Sequence, residues 1–170
     1  MNDPYLAPFD KNLDLVLERQ IDIPKEVVWR ALVEPDLLKK WFCPKPWQTV
    51  DCRVDLRPGG EFYTVMQSPD GDKFPSTGCF LDVVTHTRLV WTSALLAGFR
   101  PAAPATEQEK ACAEIVMTCI ITLQGEGKRT RYNTRVLHGS PQQTQMHLEM
   151  GFNDGWNTCL TQMIELLTEM

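Results

Sequence analysis

The stretch Leu13-Asp14-Leu15-Val16-Leu17-Glu18-Arg19-Gln20-Ile21-Asp22-Ile23, running without a break into Pro24-Lys25-Glu26-Val27-Val28-Trp29-Arg30-Ala31-Leu32, decides the fold. In its first half Leu13, Leu15, Leu17, Ile21 and Ile23 take odd positions and Asp14, Glu18, Gln20 and Asp22 fall between them, the two-residue period of a strand with one buried face. At Pro24 the period changes. Proline presets the φ of a first helical turn, and Val27, Val28, Ala31 and Leu32 recur at helical spacing until Pro35 interrupts. Pro35 opens a second short helix with Leu37, Leu38, Trp41 and Phe42 on one side, ended by Pro44 and Pro46.

Downstream the two-residue period returns six times. Val50, Cys52, Val54 and Leu56 alternate with Asp51, Arg53 and Asp55 before the turn Arg57-Pro58-Gly59-Gly60. Glu61 to Gln67 forms the return strand, closed by Ser68-Pro69-Asp70-Gly71. Gly78 to Val84 and Leu89 to Leu95 follow, joined by Thr85-His86-Thr87-Arg88. Ala97 to Lys110, with Gly98, Pro101 and Pro104, reads as a long loop unable to build a strand. Ile115 to Leu123 and Thr130 to Leu137, joined by Gly125-Glu126-Gly127, complete the strands. From about Gln145, Phe152, Trp156, Leu160, Met163 and Leu167 step by three and four, the stripe of one closing amphipathic helix. The order implies an α+β fold in which a curved antiparallel sheet wraps a helix and leaves concave apolar space, where small ligands bind.

Composition narrows the function. The 170 residues are 43% hydrophobic and 23% charged, as in ordinary globular proteins. That length suits one domain spanning 1–170 and buries roughly 70% of the unfolded chain's surface, so no disulfide or metal is required. Net charge is −5, with lysines and arginines spread along the chain, so no basic stripe suggests nucleic acid. Residues 1–11 form an N-terminal arm without the basic start and apolar run of a secretory signal. No segment approaches the roughly 20 apolar residues of a membrane span. Cys43, Cys52, Cys79, Cys112, Cys119 and Cys159 contain no C-x-x-C pair and read as reduced, buried thiols of a cytoplasmic protein.

The segments Ile23 to Leu32, Glu34-Pro35, Lys40-Trp41 and Asp55-Leu56-Arg57-Pro58-Gly59-Gly60-Glu61-Phe62 resemble homologues of the C-terminal domain of the heat-shock-protein-90 ATPase activator. That family lies in the START-like helix-grip superfamily, with polyketide cyclases, lipid-transfer proteins and pollen-allergen-like binders. Leu89-Val90-Trp91-Thr92, Gly127 to Tyr132, Gly151-Phe152, Gly155-Trp156 and Leu160 extend the resemblance from about Leu13 to Leu167. Ala94 to Pro101, Arg135 to His138 and His147 to Phe152 look like patterns of one bacterial branch. The resemblance implies a helix-grip fold with seven strands around a long C-terminal helix and two short helices after the first strand. It also implies an apolar cavity, with the loop 97–111 over its mouth and Leu96, Phe99 and Arg100 as a lid. The family's chaperone activity belongs to proteins with an additional N-terminal domain, which is not expected here.

The expected function is binding of a small hydrophobic molecule, without cofactor or metal, by a monomer or homodimer. Trp41, Phe62, Phe80, Trp91, Met117, Tyr132, Phe152 and Trp156 are the candidate cavity lining, core packing being the plainer reading of the same side chains. Arg19, Arg53 and Arg135 are candidate anchors, although a strand arginine ordinarily faces solvent. An alternative is a cyclase or hydrolase in the same cavity, with His138 or His147 carrying protons beside Glu149 or Asp154. The three histidines show no metal-ligand spacing, Ser140 lacks a nucleophile elbow, and the glycines make neither G-x-G-x-x-G nor a P-loop. A third reading is a chaperone-interaction module with an exposed docking surface.

Overall fold

The computed structural model describes residues 6–104 and 115–170. Strand β1 (Asp14–Ile21) leads into helices α1 (Lys25–Val33) and α2 (Pro35–Trp41). The chain continues through β2 (Gln48–Val54), β3 (Glu61–Gln67), β4 (Lys73–Val84) and β5 (Arg88–Thr92). A two-residue hairpin, β6 (Leu95–Leu96) and β7 (Arg100–Pro101), precedes β8 (Met117–Glu126) and β9 (Arg129–His138). Helices α3 (Pro141–Glu149) and α4 (Phe152–Thr168) close the chain. Seven strands form one antiparallel sheet in the order β1-β9-β8-β5-β4-β3-β2, and with α4 this is the helix-grip arrangement.

Register explains how the sheet builds its concave face. Leu15, Val136, Cys119, Trp91 and Phe80 stand side by side across five strands, and Leu17, Thr134, Ile121 and Leu89 form the next row. Because side chains alternate along each strand, both rows project to the same side. There they meet Val28, Trp29, Ala31 and Leu32 of α1 and Phe152, Leu160, Met163 and Leu167 of α4. Fully burying one such Leu, Met or Phe side chain contributes about 1.5–3 kcal/mol, so these rows and the helix stripe supply most of the packing.

Four sequence expectations need correction. The closing helix is two helices, because Gly151 adopts φ 91 and interrupts the helical path between Glu149 and Phe152. The first starts at Pro141, capped by Ser140, whose Oγ accepts from the Gln143 N–H at 3.3 Å. β4 starts at Lys73 rather than Gly78; its Pro75 precedes the stretch that pairs with β5, which begins at Cys79, so no ladder bond to β5 is required of it. The segment after Leu95 does pair, as the β6–β7 hairpin around a turn with Gly98 at φ 71. Finally, a bulge between Thr49 and Asp51 breaks the alternation of β2, burying Thr49 and leaving Val50 exposed. Residues 105–111 of the expected lid loop, 1–5 of the arm, and Cys112 lie outside the described residues.

Candidate functional site

Two aromatic clusters occupy the space between the sheet and the helices. In the first, Trp41 meets Phe42 edge-on at 5.6 Å, Phe42 meets Phe62 at 5.5 Å, and Phe62 meets Phe80 at 5.3 Å and Trp91 at 5.0 Å. The indole of Trp41 donates to the Ala31 carbonyl at 2.9 Å, which satisfies its N–H and ties α2 to α1. A glycine at position 78 gives the rings room, since a Cβ there would stand 2.8 Å from Thr92 O and 3.4 Å from Trp91 Cε3. Phe42, read from the sequence only as part of a helix face, is the ring that joins Trp41 to the sheet.

The second cluster gathers both candidate histidines. His147 packs edge-on against His138 at 5.2 Å, Phe152 at 5.0 Å and Trp156 at 6.0 Å, and Phe152 lies 5.0 Å from Trp156. His138 Nδ1 lies 2.9 Å from Leu13 O, and His138 Nε2 lies 2.9 Å from His147 Nδ1. A carbonyl can only accept, so His138 carries its proton on Nδ1 and presents Nε2 as acceptor to the Nδ1–H of His147. Burial, with the adjacent His138 adding to it, pushes the His147 imidazole down to about 4. The expected carboxylates do not join the pair: Glu149 accepts from Gln145 Nε2 at 2.9 Å, and Asp154 lines a polar cleft along α4.

β8 connects the clusters, with Met117 beside His138 and, two residues on, Cys119 beside Trp91. Tyr132 is buried one strand away opposite Leu123, where burial pushes its phenol up. All eight side chains named from the sequence pack in or against one hydrophobic core, in the two clusters and the bridge between them. Their exposure differs along it: Phe80, Phe152, Leu160 and Met163 are closed off, whereas Met117, Trp156 and Cys159 remain partly open.

The three candidate arginines are engaged elsewhere. Arg135 donates to Asp14 Oδ2 at 2.6 Å and to Pro8 O at 2.9 Å. Arg53 pairs with Glu61 at 3.1 Å and lies 3.8 Å above the Tyr63 ring. Arg19 reaches α4, donating to Thr161 Oγ1 at 2.9 Å and Asn157 Oδ1 at 3.3 Å. In the expected lid, the Phe99 ring rests on Gly59, and Gly98 N–H donates to Gly59 O at 2.7 Å, so this segment docks on the Arg57–Gly60 turn.

Burial pushes Cys43 and Cys52 up to about 11 and Cys159 up to about 12, and it pushes up Cys119 as well. These four thiols stay protonated at neutral pH and are poor nucleophiles. All five described cysteines are free. Among the described residues no group of three His, Cys, Asp or Glu side chains is placed to hold a metal, and no helix is long and apolar enough to cross a membrane.

Residues 22–168 match the family model described as "Activator of Hsp90 ATPase homolog 1-like protein". Protein NE0264 from Nitrosomonas europaea is 53% identical, with 95% of this chain and 97% of that one covered at a TM-score of 0.87. Protein Ms6760 from Mycobacterium smegmatis is 25% identical, covering 94% and 93% at a TM-score of 0.71. An AHSA1-like protein from Aeromonas hydrophila, 22% identical over 92% and 93% at a TM-score of 0.66, shares the fold. No curated protein matches the chain. The family match over most of the chain and the Nitrosomonas relative at 53% identity place this chain in the family of Activator of Hsp90 ATPase homolog 1-like proteins.

Proposed function

We propose that the chain holds a small hydrophobic molecule between the concave sheet face and α4, entering at the end marked by Met117 and Trp156. The observation that supports this reading is the exposure gradient along one apolar interior: Trp156, Met117 and Cys159 face inward yet remain partly open, while the rings beyond them are closed off. Apolar area gained there contributes about 2.5 kcal/mol per 100 Å² before binding costs. The protein would act as a carrier in a reducing, cytoplasmic compartment, in keeping with the five free thiols among the described residues.

A thermal-shift screen with fatty acids, polyketide-like aromatics and flavonoids tests the reading. A saturable rise in Tm, reduced by Trp156→Ala, is the expected result. Silence across all three classes would discard the carrier reading.

The enzyme alternative has less support. An imidazole held neutral down to about pH 4 is a weak proton acceptor at neutral pH, and its partner is a second histidine rather than a carboxylate. A chaperone contact draws on the matched family's description and on the exposed Phe99. Failure to raise the ATPase rate of purified heat-shock protein 90 would discard it.

A further inference from the structure

We propose that the cleft between α2 and the start of β2 binds a small organic anion, with a carboxylate or phosphate head among Lys39, Lys40 and Lys45 and a planar apolar body against Trp47. The cleft has a volume of about 520 Å³, the size of a small-molecule site. Three lysines and no carboxylate are among the residues that line it, in a chain whose net charge is −5. The three lysines come from one short stretch: α2 carries Lys39 and Lys40 at its end, and the turn into β2 returns Lys45 to the same cleft. Lys39 reaches Asp36 at 3.2 Å, a carboxylate that is itself 94% exposed; Lys40 and Lys45 have no ion-pair partner among the described residues.

A second, independent feature points to a ligand. Thr49 lines the same cleft, is 5% exposed, and its Oγ1 has no hydrogen-bond partner. A buried hydroxyl without a partner is destabilising; this oxygen is closed to solvent, so an anion oxygen in the cleft would become its acceptor only once the side chain turns toward it. The bulge between Thr49 and Asp51 is what turns this threonine inward. Trp47 completes the site. Its indole is held on one side by Phe74, with centroids 5.3 Å apart, and 36% of the residue remains exposed. Tilted aromatic contact fixes the ring and leaves a flat apolar surface on the cleft that the three lysines also line. Asp154 and Glu165 line the neighbouring cleft along α4, which shares Lys45 but none of the other lysines.

Backbone and indole NMR spectra of the full chain test this, with phenyl phosphate, benzoate, inorganic phosphate and benzyl alcohol as probes. Phenyl phosphate or benzoate is expected to shift the Trp47 indole N–H and the Thr49 amide saturably. Raising salt from about 0.05 to about 0.5 M should weaken that binding severalfold. The Lys40→Gln/Lys45→Gln double variant should weaken it roughly tenfold. Thr49→Val, which keeps the shape and removes the hydroxyl, should weaken binding while leaving Tm unchanged or higher. Benzyl alcohol shifting the same resonances equally, salt-independent binding, or full binding by the double variant would overturn the charged head. Inorganic phosphate binding as tightly as phenyl phosphate would overturn the apolar body. None of these readouts depends on occupancy of the interior beside α4.

Discussion

His138 Nε2 and His147 Nδ1 stand 2.9 Å apart, so two buried imidazoles satisfy each other, and neither has a carboxylate partner among the described residues. Folded, His147 titrates near 4 rather than 6.5, because burial and the neighbouring ring disfavour its charged form. Between those values the unfolded chain takes up a proton that the folded chain refuses. Stability therefore falls as pH falls from about 6.5 toward about 4, by on the order of 3 kcal/mol, and this contribution is flat below. Urea midpoints at neutral pH and at about pH 4.5 should show a smaller acid loss for His147→Gln than for the parent. Equal losses would show that other groups carry the acid sensitivity.

Gly60 in the Arg57–Gly60 turn and Gly98 in the β6–β7 hairpin docked on it should respond very differently to an added Cβ. A Cβ on Gly60 would collide with the carbonyl oxygen of Asp55 and lie 3.0 Å from Arg57 O, with backbone on both sides that cannot step away. Gly98 is the opposite case: it takes a left-handed backbone at φ 71, which Gly60 does not, yet nothing lies within 4 Å of its missing Cβ. Gly60→Ala is expected to cost about 3 kcal/mol or more, or to abolish soluble folding. Gly98→Ala should cost only about 1–2 kcal/mol, the conformational penalty alone. Similar costs in thermal unfolding would contradict this account of the turn.

The strands were legible because each buries one face, which forces a two-residue period onto β1, β8 and β9. The break at Gly151 was not, because Thr144, Leu148 and Phe152 stand four residues apart, a spacing that a single helix also allows. The stop was carried by one residue, Gly151, and the earlier start by Ser140-Pro141, a pair weighed for its serine rather than as a helix cap. Candidate interior residues could be read from their apolarity, but which ring meets which depends on register. Two bulges, at Thr49/Asp51 and Phe80/Asp82, reset that register without a local signal. The arginines show the same limit: alternation places Arg135 opposite Thr134 and Val136, while its partner Asp14 lies 121 residues away.

Asp14 and Arg135 form an ion pair with side chains only 4% and 14% exposed, beneath the arm that supplies Pro8 and Phe9. Asp14 Oδ2 also accepts from the Asp10 N–H at 2.8 Å, so one carboxylate fastens both the arm and β9 to β1. Asp14→Ala leaves the guanidinium with little water and no counter-charge, at a cost of about 2–4 kcal/mol. Arg135→Met together with Asp14→Leu should recover much of that loss, since a well-packed apolar pair of similar volume replaces a buried ion pair at little cost. Chemical denaturation of the two variants separates the cases; a double variant as unstable as Asp14→Ala would show that the arm, not the buried charge, sets the cost.

Gln162 joins α4 to the segment after α2 through three hydrogen bonds. Its Nε2 donates to Trp41 O at 3.1 Å and Cys43 O at 2.9 Å, while its Oε1 accepts from the Lys45 N–H at 3.0 Å. Trp41 belongs to the ring cluster and Lys45 to the basic cleft, so one amide ties the interior and the cleft to the closing helix. A net contribution of about 0.5–1.5 kcal/mol per bond puts Gln162→Ala at roughly 2–3 kcal/mol, softened where water reaches the freed groups. Gln162→Glu is the sharper test. A carboxylate keeps the acceptor for Lys45 but faces two carbonyl oxygens with no hydrogen to offer, so it should be at least as destabilising as alanine at neutral pH. It should regain stability as acid protonates the new side chain. Urea midpoints at neutral and mildly acidic pH, measured beside Gln162→Ala to subtract the histidine effect, read this directly; a glutamate variant as stable as the parent would mean that the two donor bonds contribute nothing to holding α4 in place.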